Sequence, residues 1–477
     1  MCIRSVVVHS TLLFNEKYIL KKECQGFLQG LKINITITMQ NRRDFIKQTT
    51  LVGTGVLTSS NLFAYRGSPN EKVVLGIMGT NSRGLFLAKT FAKLPNVEIA
   101  YICDPDANVL EKTRAEIEKI TGKKPQGFAD VRKMLEKKDF DGMAIAAPDH
   151  WHTPAAIMGL QAGKNVYVEK PCSHNPHEGE MLVEATNKYK KLVQMGSQRR
   201  TFSNVKDMIA KLHGGVIGRV YFARGWYVNN RKTIGKGKVI AVPQNLDFDL
   251  WQGPAPRSEY KDNLVHYNWH WFWNWGTGEA LNNGTHELDV IRWGLGVDYP
   301  SQVVSAGGRY HFQDDWETPD TQTITYNFPN NTGCTWEGRS CNGFNSEGSG
   351  RGVIFYGDKG TITYTGANSY QIFDADNKLV SEVKDNTPFD PKNAVSPTEL
   401  LDGLHLANFC EAIRGKEKIN APILEGHKST LLPQLGNIAY RVGRTLTCDP
   451  NNGHILNDKE AMKLWSREYA KGWEMKV

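Results

Sequence analysis

The 477-residue chain contains few cysteines, and they are not arranged as metal ligands. Eight cysteines occur in the whole sequence, and they show no Cys-x-x-Cys or histidine-spaced grouping. Structural zinc and iron–sulfur sites depend on such groupings, so the sequence predicts no metal site. Unpaired buried thiols are the default expectation. A disulfide between Cys334 and Cys341 stays open as an alternative, because both lie in a strand-rich stretch.

Long apolar runs are also missing. Beyond a short apolar stretch near the N-terminus, no segment approaches about 18 uninterrupted apolar residues, the length that a membrane-spanning helix needs. The mature protein is therefore expected to lack a membrane span. The apolar fraction of 40% and the charged fraction of 23% instead predict a globular protein, and its length predicts two or three domains.

The chain has a basic surplus but no basic cluster in its main part. Lys and Arg number 58 against 50 Asp and Glu, a formal charge of +8. Eight basic and three acidic residues fall within residues 1–64, so most of the surplus precedes Tyr65. No Lys/Arg-rich run that could follow phosphates stands out in the rest of the chain. We therefore expect no nucleic-acid partner.

Residues 39–70 are typical of an export signal and a linker. Arg42 and Arg43 are followed by a short, mildly apolar stretch that is diluted by Gly and Thr. The Arg-Arg-Asp-Phe-Ile-Lys core resembles a twin-arginine signal, whose export machinery handles folded proteins. The interpretation is a periplasmic or otherwise exported protein. An uncleaved membrane tether and an amphipathic cytoplasmic N-terminus both stay open.

The residues before this signal resemble no targeting or domain element. Met39 stands just ahead of the paired arginines, so translation is expected to begin there. Residues 1–38 are then an untranslated or unstructured extension.

Residues 71–197 show an alternation of strand and helix. An apolar run over residues 73–78 is followed by a glycine turn and a helical pattern, and strand-like runs recur at 97–103, 142–147 and 165–168. This alternation predicts a Rossmann-type, doubly wound parallel sheet.

The first turn fits a dinucleotide-binding fingerprint, because it follows a strand, opens a helix and lets the backbone approach a pyrophosphate. The predicted contacts in this turn are Gly79, Asn81, Ser82, Arg83 and Gly84. Asp104 ends the second strand, where an acid would bind the adenosine ribose and repel a 2′-phosphate, which favours NAD over NADP. A helix-capping role for Asp104 is the alternative.

Two further strand ends carry polar residues. Ligands in open α/β sheets bind outside the carboxyl ends of the strands, so both segments are expected at the cofactor crevice. The residues predicted there are Pro148, His150, His152, Glu169 and Lys170.

Residues 198–477 follow a different pattern. Short strands separated by turn residues over 303–383 predict a large, mainly antiparallel sheet, with helices returning at 398–414, 425–442 and 458–471. The most unusual stretch is Trp-rich. If it is extended, Trp269, Trp271, Trp273 and Trp275 share one face that could stack on sugars, although core packing is the competing interpretation. Only Trp271 is predicted as a sugar contact.

Taken together, these motifs resemble the Gfo/Idh/MocA oxidoreductase family over about residues 71–475. Glu169-Lys170-Pro171 after a strand is the most specific mark. The resemblance implies a two-domain fold, α/β plus α+β, a homo-oligomer (dimer or tetramer), and Lys170 and His286 as the catalytic pair. Many members place an Asp four residues before this histidine, where the chain has Asn282. The substrate contacts assigned with it are Gln198, Arg199, Trp271, Asn282 and Asp289.

The expected chemistry is hydride transfer from a carbinol carbon to a nicotinamide, which requires a base within reach of the hydroxyl proton. Outside the cytoplasm no free nicotinamide pool can be assumed, so NAD is expected to be tightly bound. The first hypothesis is an NAD(P)-dependent oxidoreductase acting on a sugar or glycoside hydroxyl. A redox-assisted glycosidase and a non-catalytic carbohydrate-binding protein are the alternatives.

Overall fold

A parallel six-stranded sheet forms the first half of the structure. The computed structural model describes residues 71–385 and 399–477, so the predicted export segment and the residues before it lie outside the described part. The sheet has the order β3-β2-β1-β4-β5-β6 and all its pairs are parallel. Its strands are β1 (Val73–Met78), β2 (Val97–Cys103), β3 (Gln126–Phe128), β4 (Gly142–Ile145), β5 (Asn165–Val168) and β6 (Val193–Met195). The predicted Rossmann-type sheet is confirmed.

Helices connect these strands and cover the sheet. They are α1 (Arg83–Ala92), α2 (Ala107–Thr121), α3 (Val131–Leu135), α4 (Asp149–Gln161) and α5 (Pro176–Tyr189). Because both faces are covered, the central strands are apolar throughout rather than alternating, and all four residues of β4 are buried. The strand order changes direction between β1 and β4, so the ends of these strands open the crevice where ligands bind in such sheets.

The second half contains a nine-stranded sheet with the order β14-β13-β12-β11-β7-β10-β9-β8-β15. The pair of β7 and β10 is parallel and the other pairs are antiparallel, which confirms the predicted mainly antiparallel sheet. Its strands are β7 (Val220–Val228), β8 (Gln302–Gly308), β9 (Thr321–Phe328), β10 (Thr332–Arg339), β11 (Arg351–Gly357), β12 (Gly360–Tyr364), β13 (Tyr370–Asp374), β14 (Leu379–Val383) and β15 (Leu446–Thr447).

One face of this sheet is covered by helices. Burial alternates along β9, as expected for a strand with one covered face, and α9 and α11 pack against the sheet. The helices of this half are α6 (Ser203–His213), α7 (Phe248–Gln252), α8 (Gly278–Asn282), α9 (Gly284–Leu295), α10 (Glu399–Ile413), α11 (Ile423–Val442) and α12 (Lys459–Met462).

One local prediction was wrong, because the helix predicted over 458–471 is limited to Lys459–Met462. The condition that the Trp-rich stretch is extended is not met, because Asn268–Trp271 forms a 3₁₀ helix. Asn282 and His286 also do not share one helix, because the chain breaks at Asn283, so α8 ends at the first and α9 contains the second.

The six cysteines of the described residues are unbonded, and the possible disulfide between Cys334 and Cys341 is not formed. Across residues 71–385 and 399–477, no helix combines the length and the apolar character needed to cross a bilayer.

Candidate active site

A cavity of about 560 Å³ lies where the carboxyl ends of the parallel strands face the second half of the chain. The sequence-predicted residues that line it are Gly79, Asn81, Ser82, Arg83, Asp104, Pro148, His152, Glu169, Lys170 and Asn282. The structure thus brings together residues that follow the four strands β1, β2, β4 and β5, and one residue from α8.

The glycine turn after β1 packs so closely against neighbouring backbone that two of its positions have no room for a Cβ atom. Gly79 has φ of +77°, and a Cβ on it would lie 2.4 Å from the Ala147 backbone nitrogen. A Cβ on Gly84 would lie 1.7 Å from the Gly79 carbonyl oxygen. The Ser82 side chain, at the start of α1, makes no capping hydrogen bond. The first amides of this helix are therefore available to a pyrophosphate, and the turn fits a dinucleotide.

Asn81 occupies the position of the second glycine of the fingerprint. Among the described residues with positive φ, Asn81 is not included. Its side chain is exposed at the cavity, so replacement of the second glycine leaves the turn unstrained.

Asp104 lies at the end of β2 and lines the cavity. Its carboxylate accepts hydrogen bonds from the Thr80 amide at 2.7 Å and the Asp106 amide at 3.0 Å. Asp106, and not Asp104, caps α2, so the capping alternative was wrong. The position is the one from which an acid reaches the adenosine ribose.

Arg83 was predicted to contact the phosphates, but acidic side chains hold its guanidinium. Its Nε lies 2.9 Å from Glu169 Oε1 and its Nη2 lies 2.9 Å from Asp402 Oδ1. This arrangement ties the start of α1 to the end of β5. It also holds Glu169 beside Lys170.

Lys170 extends into the cavity from the end of β5. Its Nζ donates hydrogen bonds to the Asn282 carbonyl oxygen at 2.5 Å and to Asn282 Oδ1 at 3.1 Å. Burial lowers the pKa of Lys170, against the opposing pull of Glu169 and Asp149. A neutral amine has two N–H donors and one lone pair. With both donors used by Asn282, the lone pair is available to accept a proton.

Asn282 is itself held in one orientation. Its Nδ2 donates to Glu279 Oε1 at 3.3 Å, which leaves Oδ1 facing Lys170. Because the amide is neutral, it orients the lysine without the stabilisation of the ammonium form that a carboxylate would provide. The replacement of Asp by Asn therefore favours the neutral amine form of Lys170, which can accept a proton.

Sequence reasoning missed Glu279 and Arg231. Glu279 is 4% exposed and accepts hydrogen bonds from Arg231 Nε at 2.6 Å and from Asn283 Nδ2 at 2.5 Å. Burial opposes ionisation of Glu279, but the Arg231 charge and these hydrogen bonds outweigh it and lower its pKa. Arg231 and Asn283 both line the cavity.

Other missed lining residues of the second half are Tyr227, Asn229, Tyr267 and His270. The run from Tyr227 to Arg231 is a cluster of polar and aromatic residues at the end of β7, which was the available signal. This cluster points to the site only once β7 is known to lie in the middle of the second sheet and to end at the crevice.

His286 is not among the residues that line the cavity. It is 3% exposed, and its Nε2 has no hydrogen-bond partner within the described residues. Burial lowers the pKa of His286 well below its ordinary value, and the charges of Arg199 and Arg351 add to this effect. The structure thus places His286 outside the cavity lining, as a buried imidazole whose neutral form is favoured.

Several other predicted residues lie in the interior. Trp271 is 1% exposed and stacks on Trp316 with ring centroids 3.9 Å apart, so the core interpretation applies to it. Asp289 forms a buried ion pair with Arg200 at 2.8 Å. Gln198, Arg199 and Asp289 are buried and do not line the cavity.

The two histidines after β4 differ in position. His150 is fully buried outside the cavity, with its ring nitrogens near the carbonyl oxygens of Trp251 and Trp275, and burial lowers its pKa to about 3. His152 lines the cavity, but its ring nitrogens face the carbonyl oxygens of Ala147 and Pro171.

A Rossmann sheet with a dinucleotide-binding turn, and a basic lysine at the same crevice, define a two-domain oxidoreductase. Two family models match the chain: "Oxidoreductase family, NAD-binding Rossmann fold" over residues 49–197 and "Oxidoreductase family, C-terminal alpha/beta domain" over residues 226–475. The chain therefore belongs to the Gfo/Idh/MocA family of NAD-dependent oxidoreductases, as its motifs had indicated.

Relatives in sequence are described as glycosyl hydrolase family 109 proteins. The one from Saccharopolyspora erythraea is 26% identical over 206 residues, which span 40% of this chain and 45% of the relative. The one from Shewanella pealeana is 26% identical over 210 residues, spanning 40% of this chain and 46% of the relative. The chain thus matches about half the length of these relatives.

Solved structures share the fold. The WlbA dehydrogenase from Bordetella pertussis, in complex with NADH and UDP-GlcNAcA, has a TM-score of 0.57 at 18% identity and covers 79% of this chain and 99% of its own. Levoglucosan dehydrogenase, in complex with NADH and levoglucosan, has a TM-score of 0.61 at 16% identity with the same coverage.

Proposed function

We propose that the protein transfers a hydride between a hydroxyl-bearing carbon of a sugar or glycoside and NAD, with Lys170 accepting the hydroxyl proton. The observation that carries this proposal is the Lys170 amine, which has a lowered pKa and has Asn282 on its two donor positions. It lies in the same cavity as the glycine turn. Levoglucosan and UDP-GlcNAcA in the related structures support a carbohydrate substrate.

Different residues would bind the cofactor and accept the proton during the oxidation. The amides at the start of α1 would hold the pyrophosphate and Asp104 the ribose. NAD, when bound, supplies the hydride acceptor. As the C–H bond breaks with its electron pair, the O–H bond gives its proton to Lys170 Nζ and the C–O bond becomes a carbonyl. In the reverse direction the Lys170 ammonium returns the proton to the carbonyl oxygen.

The substrate end of the cavity has the groups that hydroxyls require. Arg231 and Asn283 are fixed by Glu279, while Asn229, Tyr227 and Tyr267 line the same region. Amides and phenols can both donate and accept hydrogen bonds. Because Glu279 neutralises Arg231, this set favours a neutral polyol over an acidic substrate.

Redox-assisted glycoside cleavage is the second candidate, and the relatives described as glycosyl hydrolases favour it. Its first step is the same oxidation, which acidifies the neighbouring C–H and permits loss of the aglycone. We keep His286 as the proposed second proton carrier in either reaction; because it does not line the cavity, it would act through a relay of other groups.

A panel of sugars and aryl glycosides would separate these functions. If the protein is a dehydrogenase, one compound of the panel should cause NADH to form, seen as an increase in near-ultraviolet absorbance. A redox glycosidase releases the aglycone without net change in NADH, and loses this activity when NAD is removed. If no compound gives either signal, the proposal is wrong and a binding protein is favoured.

Replacement of Asn282 tests the role of the neutral partner. A carboxylate at hydrogen-bond distance raises the pKa of a lysine, by about 1–3 units for close pairs. In Asn282→Asp we therefore expect the rise of kcat/KM for sugar oxidation to occur at higher pH, because Lys170 must lose its proton to act as a base. Asn342→Asp, at an exposed position outside the cavity, should keep the original profile. An unchanged profile in Asn282→Asp would contradict this role.

We also propose that NAD is held tightly by residues 243–266, which we call the strap. Asn245 Nδ2 and His266 Nε2 contact Asp106 Oδ2 at 2.9 and 3.0 Å, and Leu250, Trp251 and His266 of the strap line the cavity. The strap is thus attached to the end of the sheet beside Asp104.

Loosening the strap should release the cofactor. In the double variant Asn245→Ala/His266→Ala we expect NAD to dissociate about 10- to 100-fold faster, since two hydrogen bonds to a carboxylate are lost. Release is measured by rapid dilution and chromatography of free NAD. Gln244→Ala, at an exposed strap position, is the matched control. Equal release rates would show that the strap does not retain NAD.

Export and assembly are part of the same proposal. The twin-arginine motif supports export of the folded, NAD-loaded protein to the periplasm. Tyr221 and Val304 are exposed apolar residues on β7 and β8, which supports a homo-oligomer formed through this sheet. Fractionation of cells carrying Arg42→Lys/Arg43→Lys would test the route, and a cytoplasmic wild-type protein would contradict it.

A further inference from the structure

A second cavity, of about 620 Å³, lies among the start of α5, residues 273–277, α11 and the C-terminal segment 464–468. One pair of hydrogen-bonded residues links the linings of the two cavities. Thr277 lines the second cavity and Asp149 lines the first, and Thr277 Oγ1 donates to Asp149 Oδ2 at 2.5 Å. The reaction proposed above does not use this second cavity.

Two amide side chains that line the second cavity each have one polar atom in a hydrogen bond and one polar atom without a partner in the described residues. Asn175 Oδ1 caps α5 by accepting from the Glu178 amide at 3.1 Å, whereas its Nδ2 has no partner within the described residues. Gln434 Nε2 donates to Ser173 at 3.1 Å, whereas its Oε1 has none there. Asn175 is 5% exposed and Gln434 is 3% exposed. Unpartnered buried polar atoms are costly. Both atoms have almost no accessible surface although their residues line the cavity, so a small side-chain movement would be needed to present this donor and this acceptor to a ligand.

Arg467 adds a second donor without adding net charge. Its Nε and Nη2 donate to Glu178 Oε1 and to the His150 carbonyl oxygen at 2.8 and 2.7 Å, while Nη1 has no partner in the described parts of the chain. The positive charge of Arg467 is therefore compensated, but an N–H group is left over.

The remaining charges do not favour an ion. Burial lowers the pKa of Arg441, and the negative charge of Glu317 opposes this effect, so these two lining residues compensate each other. Glu468 is exposed and also lines the cavity. The one uncompensated charge is thus negative, which disfavours an anionic ligand.

The apolar part of the lining includes Trp273, Leu281 and Ile438. Arg441 lies 4.9 Å from the Trp273 ring centroid, which holds the indole in place. An aromatic ring beside both donors and acceptors matches a pyranose, which presents C–H faces and hydroxyls that donate and accept. We propose that the second cavity binds a neutral saccharide unit, independently of the redox reaction.

Crystals of the NAD-bound protein soaked separately with glucose, galactose, mannose, N-acetylglucosamine and glucuronate test the ligand class. The expected result is a neutral pyranose hydrogen-bonded to Asn175 Nδ2 and Gln434 Oε1. Water alone in all five soaks, or glucuronate alone, would overturn the proposal.

Calorimetric titration with the sugar seen in the crystal tests binding in solution. Asn175→Asp keeps the helix cap but removes the free N–H donor, so this binding event should weaken about 10-fold or more. Trp273→Leu should weaken it too. Asn342→Asp, in which Asn342 Oδ1 likewise accepts from a backbone amide, should leave it unchanged. NAD reduction in the first cavity should persist in all three variants. Equal affinity in Asn175→Asp and wild type would mean binding at crystal concentration only and would refute the site.

Discussion

Replacement of Lys170 by methionine is expected to reduce turnover by about 10²- to 10⁴-fold, the usual contribution of a positioned acid or base. Methionine keeps the length of the side chain but lacks the amine that faces the substrate beside Asn282. NAD should still bind, because the glycine turn and Asp104 are unchanged. The measurement is kcat for sugar oxidation, together with the NAD content of the purified protein.

The pH profile distinguishes a base from a structural residue. Burial lowers the pKa of Lys170, and only the neutral amine can accept the hydroxyl proton. Wild-type oxidation should therefore increase as pH rises through this lowered pKa, and reduction of the carbonyl should decrease over the same interval. The Lys170→Met variant should show neither the rise of oxidation nor the fall of reduction with pH.

Lys164 provides the matched control for Lys170. It is also a buried lysine, but its Nζ donates to the Phe140 carbonyl oxygen at 2.7 Å and lies outside the cavity. Lys164→Met, compared at a temperature where both variants are folded, should keep the wild-type pH profile. Wild-type turnover in Lys170→Met would refute the assignment.

Replacement of Gly84 by alanine should weaken NAD binding by about 100-fold, or about 2.8 kcal/mol. The added Cβ would lie 1.7 Å from the Gly79 carbonyl oxygen, so the turn that faces the pyrophosphate must move. Titration of the apoprotein with NAD measures the effect.

Gly163→Ala is the control for Gly84→Ala. Gly163 lies in the same domain with φ of +80°, and nothing lies within 4 Å of an added Cβ. The left-handed backbone there costs about 1–2 kcal/mol of stability, but NAD affinity should be unchanged. Equal NAD affinity in the two variants would show that the turn does not contact the cofactor.

The first domain was predictable because local patterns determine it. The glycine turn and Lys170 each follow directly after a strand. Because the ends of parallel strands form the crevice, short motifs were enough to place both there. The apolar runs match the bounds of β1, β2 and β5, since both sheet faces are covered. The run for β4 was two residues too long, and the short edge strands β3 and β6 were not predicted.

The second half of the site depends on contacts that are distant in sequence. Glu279 holds Arg231 across 48 residues, and no local pattern marks this pair. Trp271 has the composition of a sugar platform, but its stacking on Trp316 places it in the core. Asn282 and His286 have helical spacing, yet the chain breaks at Asn283, and Asn282 contacts Lys170 while His286 does not line the cavity. Burial and chain direction determine where these side chains lie relative to the cavity, and a short motif encodes neither.

The most direct test of the account follows the hydride itself. The NAD-bound protein is mixed, in a single turnover, with a sugar deuterated at the carbon that the panel shows to react, and the cofactor is analysed by mass spectrometry after denaturation. The account predicts deuterium in the recovered NADH from wild type and none from Lys170→Met. Conversion of the sugar by the wild-type protein without deuterium in the cofactor would contradict it.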